Sequence, residues 1–320
     1  MGRAMFARFL PLALLLTACA PAAEPRMLID EGAVEAAADQ VIRECADLDG
    51  QGARLVAACE GRDGWSDPAP PMLLHGNTYY VGTCGISVLL VETDDGLALI
   101  DGATAEAAPQ ILANIRTLGF DPRNVKVIVG SHEHHDHMGG FAALKAATGA
   151  ELLVREPARR SVETGSVDPA DPQTGVIEGM IPVAVDGIVR SGEPVAVGDS
   201  GFMLYPVATP GHTDGGTSWT WQSCDFGECI SFAYVDSLTA VSRDGYRFTD
   251  HPERVAPFRA TFDRVHAMPC DILITPHPSV SNLFARLSGA APLRDSTACE
   301  TLAAAMRLRL DARLAQEAAQ

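Results

Sequence analysis

The stretch Val125-Lys126-Val127-Ile128-Val129-Gly130-Ser131-His132-Glu133-His134-His135-Asp136-His137 decides the reading of this chain. Its first five residues form a short apolar run of the kind that makes a buried strand. Four of the chain's nine histidines then fall within six positions. In a segment leaving a strand end, His132 and His134 point the same way, because side chains alternate with a period of two. Asp136 and His137 turn toward an adjoining point. Imidazole and carboxylate together suit zinc, and such a site needs ligands from more than one segment. Two more candidates are available: His212 in Thr209-Pro210-Gly211-His212-Thr213, and His277 in Thr275-Pro276-His277-Pro278. Each follows an apolar run, as the cluster does. A lone strand-end histidine is usually structural, but three such segments in one chain argue for a metal. The donors His132, His134, His212, Asp136, His137 and His277 suffice for two zinc ions about 3.5–4 Å apart sharing a hydroxide nucleophile. Zinc lowers the pKa of bound water to around 7, so no side-chain nucleophile is required. His75, His251 and His266 have no such context. Glu133 and His135 alternate with the ligands and should face away from the metals.

Outward from this stretch, the chain reads as strands followed by strand–helix units, twice over. Ordered structure is expected to begin at Asn77–Val81. Ile86–Glu92 and Leu97–Asp101 flank Thr93-Asp94-Asp95-Gly96, a hairpin signal. Helical periodicity covers Ala105–Leu118, ending at Gly119. A helix around Phe141–Thr148 leads to a strand at Leu152–Arg155. Strands follow near Phe202–Val207, Ser218–Gln222, Ile230–Val235 and Ile272–Thr275. Helices are expected over Pro252–His266 and from Thr301 onward. Ser166–Pro182, with two Asp-Pro pairs and little periodicity, reads as a surface loop. The pattern suits an α/β protein in which two sheets pack face to face with helices outside.

The 320 residues carry a net charge of −17, with Lys126 and Lys145 the only lysines and no basic stripe. Nucleic acid is therefore excluded as an expected partner. Arg3 and Arg8 precede the apolar run Phe9–Leu16, which reads as an export signal too short to span a membrane. It ends in Leu16-Thr17-Ala18-Cys19, which resembles the bacterial lipobox, with Cys19 as a lipid anchor; cleavage at Ala20-Pro21-Ala22 is the alternative. The expected organisation is a signal over 1–19, a tether and irregular segment over 20–60 with one short helix near 34–46, and a single domain over 61–320. The mature chain is expected in the periplasm as a monomer. In that oxidising compartment the seven remaining cysteines suggest disulfides. Cys224 and Cys229 are close enough to close a short hairpin.

The His-x-His-x-Asp-His run, Gly139-Gly140, His212 and His277 resemble the signature of the metallo-β-lactamase superfamily over roughly residues 60–310. Tyr79-Tyr80-Val81-Gly82-Thr83, Thr209–Thr213 with Gly216-Thr217-Ser218-Trp219, Asp236-Ser237-Leu238-Thr239-Ala240 and Thr275–Pro278 are similar to subclass B3. That resemblance implies a four-layer αβ/βα sandwich of two mixed sheets and zinc-dependent hydrolysis of β-lactam antibiotics. It assigns one zinc to His132, His134 and His212, and a second to Asp136, His137 and His277, with Asp136 orienting the bridging hydroxide. It gives Ser237 and Thr239 the substrate carboxylate, a role a lysine takes in the other main dinuclear subclass; this chain has no lysine after Lys145. It also implies the disulfides Cys270–Cys299, Cys224–Cys229 and Cys59–Cys84, leaving Cys45 over. Trp65 and the loop 166–182 flank the site in the family. Asp214 departs from the subclass, which usually has proline there.

The main rival is another hydrolase of this fold, such as a lactonase or thioesterase, in which an aspartate bridges the metals; Asp236 lies in the right interval. A non-catalytic zinc-binding lipoprotein would leave no open position for water, which this pattern does. A serine β-lactamase is excluded, because Arg123 and Ala142 stand three residues before the two lysines, so no Ser-x-x-Lys exists.

Overall fold

The computed structural model describes residues 50–320, apart from 200 and 226. The signal, Cys19, the helix near 34–46 and Cys45 lie outside the described residues. Among the described residues, twelve strands form two sheets. The first contains β1 (Met72–His75), β2 (Thr78–Tyr80), β3 (Leu89–Thr93), β4 (Gly96–Ile100), β5 (Val125–Val129), β6 (Glu151–Arg155) and β7 (Gly187–Val189), in that spatial order. The second runs β12 (Ile272–Ile274), β11 (Glu228–Tyr234), β10 (Thr217–Asp225), β9 (Met203–Ala208), β8 (Val195–Ala196). The helices are a stretch through residues 52–58 (α1), α2 (Ala108–Thr117), a single turn α3 (His135–Met138), α4 (Phe141–Thr148), α5 (Glu156–Thr164), α6 (Pro252–His266), α7 (Leu283–Leu287) and α8 (Ala298–Ala318).

Alternation along each strand builds the layers. In β4, Ala98 and Ile100 face the core between the sheets, while Leu97 and Leu99 face α2 and α4. In β5, Val127 and Val129 point inward and Val125 and Ile128 outward. The other sheet contributes Trp219, Trp221, Phe232, Tyr234 and Ile274 to the inner core, and its far side packs Ala233 and Leu273 against Phe258, Phe262, Met306 and Leu310. A sheet apolar on both faces must be covered on both faces, and the four-layer sandwich is the result. This is the expected fold.

The differences lie where periodicity is weak. Ordered structure starts before Asn77, because Leu55 of α1 is fully buried in the inner core and β1 pairs with β2. Helix α5 was not anticipated: Ala158, Ser161 and Val162 are its only buried residues, too few to mark a period. Its proline near the start and left-handed Gly165 at its end were the available signals. The short strands β7 and β8 escaped for the same reason. Cysteines 59–84, 224–229 and 270–299 form disulfides. No helix among the described residues is long and apolar enough to cross a membrane.

Strand direction, more than the number of layers, positions the site. Strands β4, β5 and β6 are parallel; β11 and β12 are parallel, and β9 runs with them because two antiparallel steps separate it from β11. The segments carrying Asp101, His132–His137, His212, Asp236 and His277 all leave carboxyl ends of these strands.

Candidate metal centre

The arm after β5 is held at Ser131. Asp101 accepts its backbone N–H at 2.5 Å and its hydroxyl at 2.7 Å, and Thr217 N–H donates to its carbonyl at 2.7 Å. The first sheet's strand end is thereby fixed to the second sheet. The chain bends along the arm, His134 itself has extended backbone angles, and the turn α3 that follows swings Asp136 and His137 to one side. Gly140 lets this turn lie close: a Cβ there would stand 2.2 Å from the Gly102 carbonyl oxygen. His212 sits on the loop 209–216, whose Gly211 adopts φ of +152° with the Phe258 ring where a side chain would be. His277 follows β12, with Ser87 N–H on the Pro276 carbonyl at 2.7 Å.

The six donors converge. Ring centroids of His132, His134 and His212 stand 4.6, 4.7 and 5.0 Å apart pairwise, and ligand atoms of these three lie within 4.8 Å of one another. His132, Asp136 and His137 form a second such group. Asp136 Oδ2 lies 3.1 Å from His137 Nε2 and 3.4 Å from His277 Nε2. His132 Nε2 and both ring nitrogens of His137 are buried without a hydrogen-bond partner. Native interiors rarely leave such atoms unsatisfied, so His132 Nε2 and His137 Nε2, the latter beside Asp136 Oδ2, fit a cation there.

The outward nitrogens are occupied, as metal-bound histidines require. His132 Nδ1 donates to Asp236 Oδ1 at 2.8 Å, His134 Nε2 to Asp171 Oδ2 at 2.9 Å, and His212 Nδ1 to the Thr239 carbonyl at 2.8 Å. These bonds leave His132 Nε2, His134 Nδ1 and His212 Nε2 as the nitrogens available to a metal, the last with Gln173 Nε2 3.4 Å away. Asp236 therefore stands behind His132 rather than between the two donor groups.

Electrostatics differ between the two halves of the site. Burial holds His132 well below the usual histidine range and His212 down to about 3, keeping both neutral, the form that binds metal. At the other subsite burial opposes charge, but the Asp136 and Asp101 carboxylates overcome it and push His137 up to about 10. Burial likewise acts to raise Asp136, yet the imidazoles of His137, His277 and His132 hold it well below the usual carboxylate range. This half of the site favours positive charge.

Three supporting residues, Asp101, Asp171 and Gln173, were not singled out by sequence, and a fourth, Glu133, is read there only as facing away from the metals. Asp101, at φ of +65° after β4, also accepts from Tyr234 at 2.7 Å and lies 3.4 Å from His137 Nδ1. Glu133 accepts from Thr213 Oγ1 and Gly215 N–H. Asp171 and Gln173 come from the loop 166–182, with Gln173 Nε2 3.4 Å from His212 Nε2. Only the positive φ of a non-glycine is a local oddity, and it is invisible in sequence. Trp65 is 43% exposed, with its ring 5.5 Å from His135 and 6.1 Å from His277. Ser237 and Thr239 both line a recess with His277, and the Thr239 hydroxyl also sits 3.3 Å from His212 Nδ1, against a ligand. Asp214 pairs with Arg254 at 3.2 Å.

Comparison with known proteins bears on the whole arrangement. The family model described as Metallo-beta-lactamase superfamily matches residues 81–277. The crystal structure of the metallo-β-lactamase MIM-1 from Novosphingobium pentaromativorans is 50% identical, with a TM-score of 0.81 over 83% of this chain and 98% of that one. That of MEM-A1, a subclass B3 metallo-β-lactamase isolated from a soil metagenome library, is 38% identical, with a TM-score of 0.76 over 80% and 99%. A hydroxyacylglutathione hydrolase of Polaromonas sp. strain JS666 is 35% identical over 122 residues, 38% of this chain and 36% of that protein. The chain thus spans about a third of the length of the curated relatives it matches. Fold, converging donors and these likenesses lead to one conclusion: the chain belongs to the metallo-β-lactamase superfamily of hydrolases, and its structural neighbours include subclass B3 enzymes.

Proposed function

We propose that this protein hydrolyses the β-lactam amide bond with two zinc ions per chain, and that it does so after export, where it confers antibiotic resistance. The position of Asp236 carries the choice of substrate. Its carboxylate is bonded to His132 Nδ1 and buried behind that ring, so it is not presented as a metal-bridging ligand of the kind a lactonase uses. The likeness to solved subclass B3 enzymes supports the same reading. His132, His134 and His212 would hold one ion, and Asp136, His137 and His277 the other. When bound, zinc supplies water of lowered pKa and polarises the substrate carbonyl and the departing nitrogen.

The chain's own residues supply orientation and proton handling. Asp136, kept ionised between His137 and His277, is placed to accept a hydrogen bond from the attacking water and so aim it. Ser237, beside His277, offers a hydroxyl to the substrate carboxylate; Thr239 contributes less directly, because its hydroxyl already lies against His212. Trp65 walls the mouth against His277 and keeps bulk water off one side.

The test is a substrate comparison on purified protein. A penicillin, a cephalosporin and a carbapenem should be hydrolysed, activity should vanish with chelator and return with zinc, and a lactone and a hydroxyacylglutathione thioester should turn over poorly. Efficient lactone or thioester hydrolysis without β-lactam turnover would overturn the assignment and favour the second reading, for which the partial likeness to hydroxyacylglutathione hydrolases speaks.

A further inference from the structure

Three-histidine metal sites assembled from two distant segments face a mechanical problem. His132 and His134 share one arm, but His212 arrives on a separate loop nearly eighty residues later. Something must set that loop against the arm to within a few tenths of an ångström, since metal–nitrogen bonds tolerate little error. Hydrogen bonds within the loop, from Thr209 N–H to the Gly216 carbonyl and from Gly211 N–H to the Thr213 carbonyl, shape it but do not register it.

Glu133 spans the gap. It lies between His132 and His134 and points to the opposite side of the arm. Thr213, the residue immediately after His212, donates its hydroxyl to Oε2 at 2.8 Å, and Gly215 N–H donates to Oε1 at 2.9 Å. The fit is tight: a Cβ on Gly215 would stand 2.3 Å from Oε2. From the far side Arg155, at the end of β6, donates to the carbonyls of Asp214 at 3.1 Å and Gly216 at 2.9 Å. The turn 213–216 is therefore held by a carboxylate on its donors and a guanidinium on its acceptors, and the two opposite charges favour each other. Glu133 is only 6% exposed. Burying a carboxylate is costly unless its hydrogen bonds are made, and here both oxygens make one, to the same ligand-bearing turn.

We propose that Glu133 is a positioning residue for the three-histidine site: its buried carboxylate locks the His212-bearing turn to the His132–His134 arm. It touches neither metal nor substrate and acts one residue away from all three ligands at once. The proposal rests on the metal-binding part of the function proposed above and not on the identity of the substrate. Outer partners of metal ligands typically change metal affinity by about 10–100-fold, and Glu133 belongs in that range although it grips the ligands' neighbours rather than the ligands.

The test uses the full chain carrying His277→Ala, so that zinc titrated against a chromophoric chelator reports the three-histidine set. In that background Glu133→Gln, which keeps the volume and loses one acceptor, should weaken zinc binding about tenfold. Thr213→Val should do so to a similar extent, and the double variant should lose less than the two losses combined. Amide exchange at 211–216 in the metal-free protein should quicken in Glu133→Gln while exchange in β5 and β10 stays slow. Zinc affinity of Glu133→Gln within twofold of its parent, or full additivity with Thr213→Val, overturns the proposal. Should the parent itself bind no zinc, the metal-site reading falls and takes this one with it, which separates the two failures.

Discussion

At the scale of single residues, the site is a set of imidazoles whose two nitrogens have divided tasks. In His132, His134 and His212 one faces the donor cluster and the other is tied to an oxygen acceptor, which fixes ring rotation and tautomer. Asp171 does this for His134, and the bond works both ways: burial alone would raise the Asp171 carboxyl, but His134 holds it below its usual range. Replacing Asp171 by alanine leaves His134 Nε2 without its acceptor. Zinc affinity should fall by about 10–100-fold, read by competition with a chelator, while the metal-free protein unfolds at nearly the parent temperature. An unchanged affinity would mean that water replaces the carboxylate at no cost. Asp236 plays the corresponding part for His132 but from deeper within the sandwich, and burial pushes its carboxyl well above the usual range.

At the scale of elements, two loops that lack regular structure form one side of the site, and helix α6 joins them. Arg254, near its start, donates to the Ala170 carbonyl at 3.0 Å on the loop 166–182 and pairs with Asp214 on the His212 loop. Asp214 thus ties the His212 loop to α6 through an ion pair. The guanidinium is 9% exposed and the carboxylate 58%, so the pair is screened on one side. Arg254→Ala removes both anchors and should cost about 1–3 kcal/mol, whereas Asp214→Ala, whose partner keeps Ala170, should cost less, about 0–1 kcal/mol. Urea unfolding of the two variants against the parent decides the order; equal losses would show that the Ala170 bond contributes nothing.

At the scale of the whole molecule, the sandwich brings strand ends of both sheets to one place, and three disulfides cross-link it, two of them buried in its cores. Cys270–Cys299 joins the approach to β12, and hence to His277, with the start of α8 across 29 residues, while Cys224–Cys229 closes only a five-residue separation in the β10–β11 hairpin. Loop-closure entropy in the unfolded chain makes the longer link worth more, about 3–4 kcal/mol against about 2 kcal/mol. Serine pairs at 270 and 299 should therefore lower the denaturation midpoint further than serine pairs at 224 and 229, measured by urea unfolding without reductant. The reverse order would show that native-state packing, not chain entropy, sets their contribution.

Some of this was fully written in the sequence. The run His132–His137 is local, so its alternation and its turn follow from adjacent residues, and so does the alternation of Ala98 and Ile100 with Leu97 and Leu99 that demands two covered faces. The strand-end settings of His212 and His277 were legible for the same reason. What the sequence left open was every relation across long separations: whether Asp236 would stand behind His132 or face the metals, 104 residues away, and that Asp171 would come back to His134 across 37. Glu133 could be seen to turn away from the donors, but not that Thr213 and Gly215 would be waiting for it. A carboxylate's role depends on which group lies within 3 Å, and that is decided by strand order, strand direction and the course of irregular loops. None of these leaves a period in the sequence, so only the packed molecule determines them.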